Sequence, residues 1–496
     1  MTFRRVLIAN RGEIAIRIAR ACRETGIESV AVYSEADVDS PHVRAADRAV
    51  LIGPAPSSQS YLSISAILEA ARSTACDAVH PGYGFLSENA TFARTCEQAG
   101  LVFIGPPADV IERMGSKIAA RALMIAAGVP VVPGVTAEDQ SDDGILGAAE
   151  RVGFPVLVKA SGGGGGKGMR VVRDRDSART LIPAARREAI AAFGDGTLYV
   201  ERLIERPRHI EVQVFGDTHG NVVHLFEREC TIQRRHQKVI EESPSPALTP
   251  AVRGTMQAAA VAAARAASYV NAGTIEFLLE GTGDAARFYF LEVNARLQVE
   301  HPVTEAVTGV DLVRAQFTVA AGGRLPWTQA GLTLRGHAIE CRVYAEDPAD
   351  GFLPQAGPLL LYREPAGPGI RVDSGVVEGG TVSVHYDPLL AKLTVWAESR
   401  DHAIARAISA LRTFPVLGIR TNVPFLIHLL DHPEIRAGRM HTRFIEEHAS
   451  ELLTSPDPPL EALAAAAVAT GPQGFGTGDS ATVAHDPWGT IRGWGR

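Results

Sequence analysis

Residues 154–173 read FPVLVKASGGGGGKGMRVVR, and the folding of this stretch decides the architecture around it. The segments before and after the glycines are short, apolar and rich in valine, so each reads as a strand. Between them, Gly162 to Gly166 are consecutive glycines. A loop without Cβ atoms lets backbone N–H groups approach an anion closely, and such N–H nests suit phosphate oxygens. Gly163-x-Gly165-x-x-Gly168 matches the dinucleotide fingerprint literally. That fingerprint must open a helix, however, and here a strand follows. The Walker A pattern also fails, because Ser161 stands at its first glycine and Gly168 at its Ser/Thr. What remains is a strand–loop–strand hairpin that closes as a lid over phosphates. A plain surface hairpin is the competing reading.

Lys159 ends the first of these strands among apolar neighbours, where an ammonium serves as a point charge for an α- or β-phosphate. Lys117, in Met114-Gly115-Ser116-Lys117, is a weaker phosphate candidate, since a solvated lysine at a helix start has the same pattern.

Two later strands carry carboxylates. In TIEFLL (274–279) Glu276 lies between Ile275 and Phe277, and FYFLEVNARLQVEHPVTE spans 288–305. Alternate residues of a strand share a face. Glu292, Asn294 and Arg296 therefore fall together, and Gln298 and Glu300 continue that parity if the chain stays extended. Two carboxylates and an amide oxygen are hard ligands suited to Mg²⁺, which keeps few protein ligands and shares phosphate oxygens. A half-solvated strand would also alternate, but not with this order of charges. The polar run Glu227 to Lys238 reads as a solvated loop or as a source of cations for an anionic substrate, with RRHQK at its densest part.

Outside these segments the chain has an ordinary globular composition. Its 496 residues suit about three domains. Apolar residues make 46% and charged residues 21%, and the formal net charge is −7, which argues against broad nucleic-acid binding. There is no apolar run of the roughly 18 residues a membrane span needs, and Asn10, Arg11 and Glu13 interrupt the short apolar run that a signal peptide would extend. The 5 cysteines contain no C-x-x-C pair, so a reduced cytoplasmic protein is expected. In residues 1–114, VLIAN (6–10), SVAVYS (29–34), DAVH (77–80) and LVFIGP (101–106) read as strands alternating with helices, the pattern of a doubly wound parallel sheet. Asn10-Arg11-Gly12-Glu13 lacks the glycines of a nicotinamide site.

KASGGGGGKGMR (159–170), PRHIEVQV (207–214), QRRHQKVIEESPSP (233–246), GTIEF (273–277), EVNARLQVEHPVTE (292–305) and GHAIECRVYAEDP (336–348) together resemble biotin carboxylase, the ATP-grasp component of biotin-dependent carboxylases. IANRGEIAIRI (8–18) and HPGYGFLSEN (80–89) resemble its N-terminal domain. The resemblance runs in order from about residue 3 to 447. It implies a mixed α/β and α+β fold: a doubly wound N-terminal domain (1–114), an ATP-grasp domain (115–330) with a glycine-rich lid over about 131–204, and a barrel-like C-terminal domain (335–447). A Pro-, Ala- and Gly-rich linker or tail follows from 452 to 496. The implied reaction is ATP- and bicarbonate-dependent carboxylation of biotin N1′ on a carrier protein, through carboxyphosphate.

Position by position, the resemblance implies that Lys117, Lys159 and the glycines Gly163, Gly164, Gly165 and Gly166 hold ATP phosphates, with Met169 beside them. Glu201, Leu203 and Ile204 fall at the adenine hinge, and His209, Gln233 and His236 at further ATP positions. Glu276, Glu292 and Asn294 would bind Mg²⁺ or Mn²⁺. Lys238, Arg296, Gln298 and the backbone of Val299 would bind bicarbonate. Glu300 would be its general base, and Arg342 would meet the biotin enolate. A salt bridge from Arg342 to Glu340 or Glu346 is the structural alternative. Ser116, Lys167 and Ala295 depart from common family residues, Asp, Arg and Thr respectively, and none is a catalytic position.

Three other functions are weaker. A carbamoyl-phosphate synthase half would need a second copy of the unit. A nicotinamide oxidoreductase conflicts with the placing of the glycines between strands, and a noncatalytic scaffold with the intact catalytic set. No methionine flanks a lysine, so biotin is expected on a separate carrier protein, with a separate carboxyltransferase subunit. The resemblance, and not this sequence by itself, implies a homodimeric state. Residues 416–448 resemble acyl-CoA carboxylase α-subunits, which favours acetyl-CoA or a related acyl-CoA as final acceptor over pyruvate or urea. The tail ends DPWGTIRGWGR (486–496), like the segment that leads towards the carrier in those subunits.

Overall fold

The apolar run near the N-terminus forms β1 (Arg5–Ile8), with Val6, Leu7 and Ile8 fully buried. The computed structural model describes residues 3–161 and 168–453, with positions 460, 461, 463 and 464. Gly163, Gly164, Gly165 and Gly166 lie outside the described residues, as does nearly all of the 452–496 tail. The chain divides into one unit ending at Leu453 and a C-terminal segment from Thr454.

β1 is the centre of a parallel sheet with β2 (Glu28–Tyr33), β3 (Arg48–Leu51), β4 (Ala78–His80) and β5 (Val102–Phe103), in the order β3-β2-β1-β4-β5. Parallel neighbours require crossovers. Helices Gly12–Glu24, Ile64–Ser73 and Ala90–Gln98 supply them. The turn after β1 is built around a protein contact: the Asn10 amide donates to the carbonyls of Pro81 and Tyr83, both at 2.7 Å.

The glycine-run hairpin belongs to a second, antiparallel sheet. β6 (Gly134–Val135), β7 (Val156–Ala160), β8 (Arg170–Val172) and β9 (Leu198–Arg202) lie in the order β6-β9-β7-β8. Helices Asp142–Val152 and Arg175–Phe193 pack against it over Val156, Val158, Val172, Ile182 and Val200. A strand flanks the glycines on each side, as expected, with β7 before them and β8 after.

The third sheet holds the chemistry. β10 (Arg208–Gly216), β11 (Val222–Arg234), β12 (Gln237–Ser243), β13 (Asn271–Glu280), β14 (Arg287–Asn294) and β15 (His337–Tyr344) join strands Leu389–Ala397 and Ile370–Ser374. Their order is β14-β13-β10-β11-β12-β15, then Leu389–Ala397 and Ile370–Ser374. The sheet therefore runs on past residue 335: β12 pairs with β15 from Ile240 opposite Cys341 to Ser243 opposite Ala338. Without that pairing β12 would present an open edge.

Two local expectations are corrected. Of the two readings of the polar run 227–238, the solvated loop holds only at the exposed turn Arg235–His236, and the rest lies in β11 and β12. Glu227, Arg228, Glu229, Cys230 and Thr231 are buried in β11, because the Arg228 guanidinium is satisfied internally by Glu211 at 2.5 Å, Gln213 at 2.8 Å, Thr304 at 2.9 Å and Thr274 at 3.0 Å. The extended run also stops at Asn294, well before Glu300. Glu300 caps helix His301–Thr308 with a near-helical backbone (φ −81°, ψ 14°), since Pro302 at the first turn favours helix initiation.

Candidate active site

Register builds the site. In β14 and β13 Glu292 stands directly opposite Glu276. Glu276 stands opposite Glu211 in β10, and Glu211 opposite Arg228 in β11. Directly opposed residues share a face, so a row of three carboxylates and one guanidinium crosses four strands. Lys238 enters from β12. Its ammonium reaches Glu211 and Glu300 at 2.6 Å each and Glu276 at 3.0 Å. Burial works against that charge, but the carboxylates of Glu211, Glu276 and Glu300 outweigh it and hold Lys238 well above its usual range.

Glu300 is 1% exposed. One of its oxygens accepts from Lys238, and the other accepts from Arg342 Nη2 at 2.9 Å. Burial would raise its carboxyl, yet Lys238, Arg342 and Arg228 hold it well below the ordinary value. Arg342 also donates from Nε to Glu241 at 2.6 Å. It pairs with neither Glu340 nor Glu346 as the structural alternative required: Glu346 bonds Arg234 at 3.1 Å and Glu340 accepts from Thr394 at 2.9 Å. Burial and the neighbouring Glu300 charge push Glu241 up to about 7 against Arg342.

Arg296, Gln298 and Asn294 form a tight group although they do not share a strand. Arg296 donates to Gln298 Oε1 at 2.7 Å, to Asn294 Oδ1 at 2.9 Å and to Glu88 at 2.9 Å. The Asn294 amide donates to Glu276 at 2.8 Å. His209 Nε2 lies 2.9 Å from Glu276. Burial lowers the imidazole, but Glu276 reverses this and raises it. The Glu292 carboxyl is pushed up by burial and then by Glu276 opposite. Two opposed carboxylates, one destabilised by the other, fit a divalent cation.

A second group of cations lies on the phosphate side. Lys159 in β7 forms an ion pair with Glu201 in β9. Burial works against its charge, but Glu201 and Tyr199 raise it. Glu201, expected at the adenine hinge, thus turns its carboxylate to Lys159. Lys117 begins helix Lys117–Ala126, capped by Ser116, which accepts from Ala119 at 3.4 Å. Burial lowers Lys117, with Glu292 opposing and Lys159 adding to the effect. The Lys117 N–H donates to Ser161 at 3.2 Å, tying this helix to the edge of the glycine run. Met169 immediately precedes β8. Leu203 and the buried Ile204 follow β9, and the Leu203 N–H donates to Pro155 at 3.1 Å. Gln233 faces Lys238 across the β11–β12 hairpin, with His236 at its tip in a left-handed conformation (φ 67°). Burial lowers the His236 imidazole, and Lys159, His209 and Lys117 contribute to the shift.

Sequence reasoning missed Glu211, Arg228, Glu241 and Glu88. Glu211 sits between the buried apolar residues Ile210 and Val212 of a strand, the pattern that singled out Glu276, whereas Glu241 is followed by a second buried carboxylate, Glu242, which breaks that pattern. Arg228 was hidden in a charge run, and Glu88 in a loop whose tertiary partner, Arg296, lies far along the chain.

Three family models match in order along the chain. Residues 2–111 match the biotin carboxylase N-terminal domain, 116–328 the ATP-binding domain of the carbamoyl-phosphate synthase L chain, and 340–447 the biotin carboxylase C-terminal domain. The chain is 51% identical over 446 residues to the biotin carboxylase of Halalkalibacterium halodurans, covering 90% of this chain and 98% of that one. It is 52% identical over 452 residues to the mitochondrial methylcrotonoyl-CoA carboxylase subunit alpha of Mus musculus, covering 91% of this chain. It spans 63% of that subunit's length. A solved structure, the biotin carboxylase domain dimer of Hydrogenobacter thermophilus 2-oxoglutarate carboxylase with MgADP, ADP and bicarbonate, superposes with a TM-score of 0.88 at 44% identity over 92% of this chain and 100% of that one. With three family models in order along the chain and near-complete coverage of a 51% identical relative, the chain belongs to the biotin carboxylase family.

Proposed function

We propose that the chain carboxylates biotin on a separate carrier protein, using ATP and bicarbonate. The observation that carries this reading is the Lys238 ammonium held between Glu300 and Glu276 beside Arg342. This arrangement offers an anion two cations and a carboxylate base at one point. Lys238 and Arg296 hold bicarbonate, with Gln298 and the Val299 backbone completing its contacts. Glu300 removes its proton, a form of help worth roughly 10²–10⁴-fold. Lys117, Lys159 and the glycine run hold the phosphates of ATP. Glu276, Glu292 and Asn294 would hold Mg²⁺, which when bound offsets charge on the transferring phosphoryl group. Carboxyphosphate hydrolyses in water, so the lid must exclude solvent. Carboxyphosphate then gives CO₂ and phosphate, phosphate takes the ureido proton of biotin, and Arg342 stabilises the enolate oxygen that forms before N1′ attacks CO₂.

The relatives support a place within an acyl-CoA carboxylase, with a biotin carrier and a carboxyltransferase as partners and a homodimeric state like that named for the Hydrogenobacter domain. That same domain belongs to a 2-oxoglutarate carboxylase, so an oxo acid such as pyruvate is the second reading for the final acceptor. Among the described residues no helix is long and apolar enough to cross a membrane, and all 5 cysteines are free and buried. The free cysteines support a reducing compartment such as the cytoplasm. The deciding assay is ADP release by the purified chain with ATP, Mg²⁺, bicarbonate and free biotin. Stimulation by biotin is expected, and its absence refutes the reading.

A further inference from the structure

The segments around Asn10–Glu13 and His80–Tyr83 touch neither the phosphate nor the bicarbonate group, yet they converge on one buried lysine. Lys392 lies in the middle of strand Leu389–Ala397 and is 0% exposed. Its strand neighbours Ala391 and Leu393 are buried too. An apolar side chain would fill such a position at lower cost, because desolvating an ammonium costs several kcal/mol unless its donors are satisfied. Two partners satisfy it here. Lys392 Nζ donates to the Val299 carbonyl at 2.8 Å and pairs with Glu13 Oε1 at 3.0 Å.

The N-terminal segments build the socket for this ion pair. The Tyr83 hydroxyl donates to the same Glu13 oxygen, and the Lys392 ammonium lies 5.7 Å from the Tyr83 ring centroid. Gly82 adopts φ +62°, and a Cβ there would meet the Asn10 amide nitrogen at 2.9 Å. Only glycine lets the Tyr83 turn close onto Asn10. The strand-to-helix turn of the first sheet and the loop after β4 thereby present one carboxylate to Lys392.

What Lys392 holds is specific. The Val299 carbonyl belongs to the peptide unit that joins Val299 to Glu300, and that unit is planar. Fixing its oxygen fixes the orientation in which the chain enters Glu300. Arg342, which holds the Glu300 carboxylate, stands directly opposite Lys392 in the antiparallel ladder. A cross-strand pair of cations therefore grips one residue twice, by its preceding peptide and by its side chain.

We propose that Lys392 is a positioning residue for Glu300, with Glu13 of the N-terminal domain as its counter-ion, so that the N-terminal domain sets the geometry of the bicarbonate base without touching substrate. This rests on the reading of Glu300 as that base. A misplacement of about 1 Å costs on the order of 10²-fold in rate.

The test is steady-state kinetics of biotin-stimulated ADP release by the full chain, with ATP and bicarbonate varied separately. Lys392→Met is expected to raise KM for bicarbonate and lower kcat, for a combined loss of about 30- to 100-fold, while KM for ATP stays within about twofold. Glu13→Gln, which keeps an oxygen acceptor for Lys392, should show the same split at a smaller scale. A purely structural role would move both KM values together. Unchanged bicarbonate kinetics in folded Lys392→Met overturns the proposal. If that variant does not fold, unchanged bicarbonate kinetics in Glu13→Gln overturns it instead. Failure of the unsubstituted chain to respond to biotin would refute the reading of the site rather than the role of Lys392.

Discussion

Replacing Glu300 by glutamine separates the base from its surroundings. The substitution keeps the shape but converts one oxygen into an NH₂ group that cannot accept a hydrogen bond. One of two contacts is lost: Lys238 at 2.6 Å or Arg342 at 2.9 Å. Neither cation is left alone, since Lys238 keeps Glu211 and Glu276, and Arg342 keeps Glu241. The stability cost should therefore match one unsatisfied buried group, about 1–3 kcal/mol, rather than the roughly 3–5 kcal/mol of an orphaned buried charge. The catalytic cost is larger. Loss of a general base removes roughly 10²–10⁴-fold, which is about 3–5 kcal/mol of barrier. Lys159 and Lys117 lie on other elements, so ATP should bind as before. The assay is biotin-stimulated ADP release, with ATP affinity measured by titration and folding by thermal melting. Wild-type turnover in Glu300→Gln would remove Glu300 as base. A parallel loss of ATP affinity would show that the substitution had disrupted the whole site.

Three further outcomes follow from the same geometry. Arg342→Met should lower kcat by about 10²-fold, the scale of a lost oxyanion donor, with KM for ATP little changed; activity within about threefold of wild type would remove it from the enolate step. Glu276→Gln should raise the Mg²⁺ concentration needed for half-maximal activity by about tenfold or more, and an unshifted Mg²⁺ titration would exclude it as a ligand. Glu242, buried, accepts from His337 at 2.6 Å and Arg400 at 2.7 Å. Burial opposes its charge, but these partners hold its carboxyl at about 2, below the ordinary 4.5. A depressed carboxyl stabilises the fold above its unfolded value and loses that contribution as pH falls through its folded value, here between about pH 5 and pH 2, for a total of about 3 kcal/mol. Glu242→Gln should flatten that limb of an acid-denaturation curve, and an unchanged limb would assign the acid sensitivity elsewhere.

Much of the site was legible because strand periodicity is local. Glu276 and Glu292 announce themselves as carboxylates between apolar neighbours, and the valine-rich pattern on both sides of the glycine run is enough to exclude a nucleotide-binding helix there. Lys392 shows the limit of that signal. It stands in LLAKLTVWA (389–397) as Lys159 stands in FPVLVKA, so the pattern marks it as unusual. Its partners, Glu13 and Val299, are set by tertiary packing and leave no trace in local spacing. Strand parity failed beyond Asn294 for a related reason. Alternation carries over only while the chain stays extended, and Gln298 and Glu300 reach the site through a turn and a helix start. The charge run at 227–238 stayed ambiguous between a solvated loop and a source of cations, because composition alone does not reveal that Glu211, on the neighbouring strand, neutralises Arg228.

The electrostatics of the base pose a problem that the geometry itself resolves. A carboxylate held well below its ordinary pKa by Lys238 and Arg342 is a weak proton acceptor, and general-base catalysis favours a pKa nearer the working pH. On the proposed reading, the 2.6 Å contact between Lys238 and Glu300 lies where bicarbonate would be held. An entering anion therefore draws Lys238 towards itself and adds a negative charge beside Glu300. Both changes favour the protonated carboxyl, because a nearby cation lowers a carboxyl pKa and a nearby anion raises it. On that reading substrate binding would convert a stabilised carboxylate into a competent base. The consequence is measurable in two pH profiles. In the free protein Glu300 is ionised throughout the usual assay range, so kcat/KM for bicarbonate should show no acid limb from it above about pH 5. The profile of kcat reports the bound state and should show that limb shifted upward, and Glu300→Asp should move it again. A limb at the same pH in both profiles would mean that bicarbonate does not displace Lys238, and that the proton goes to some other group.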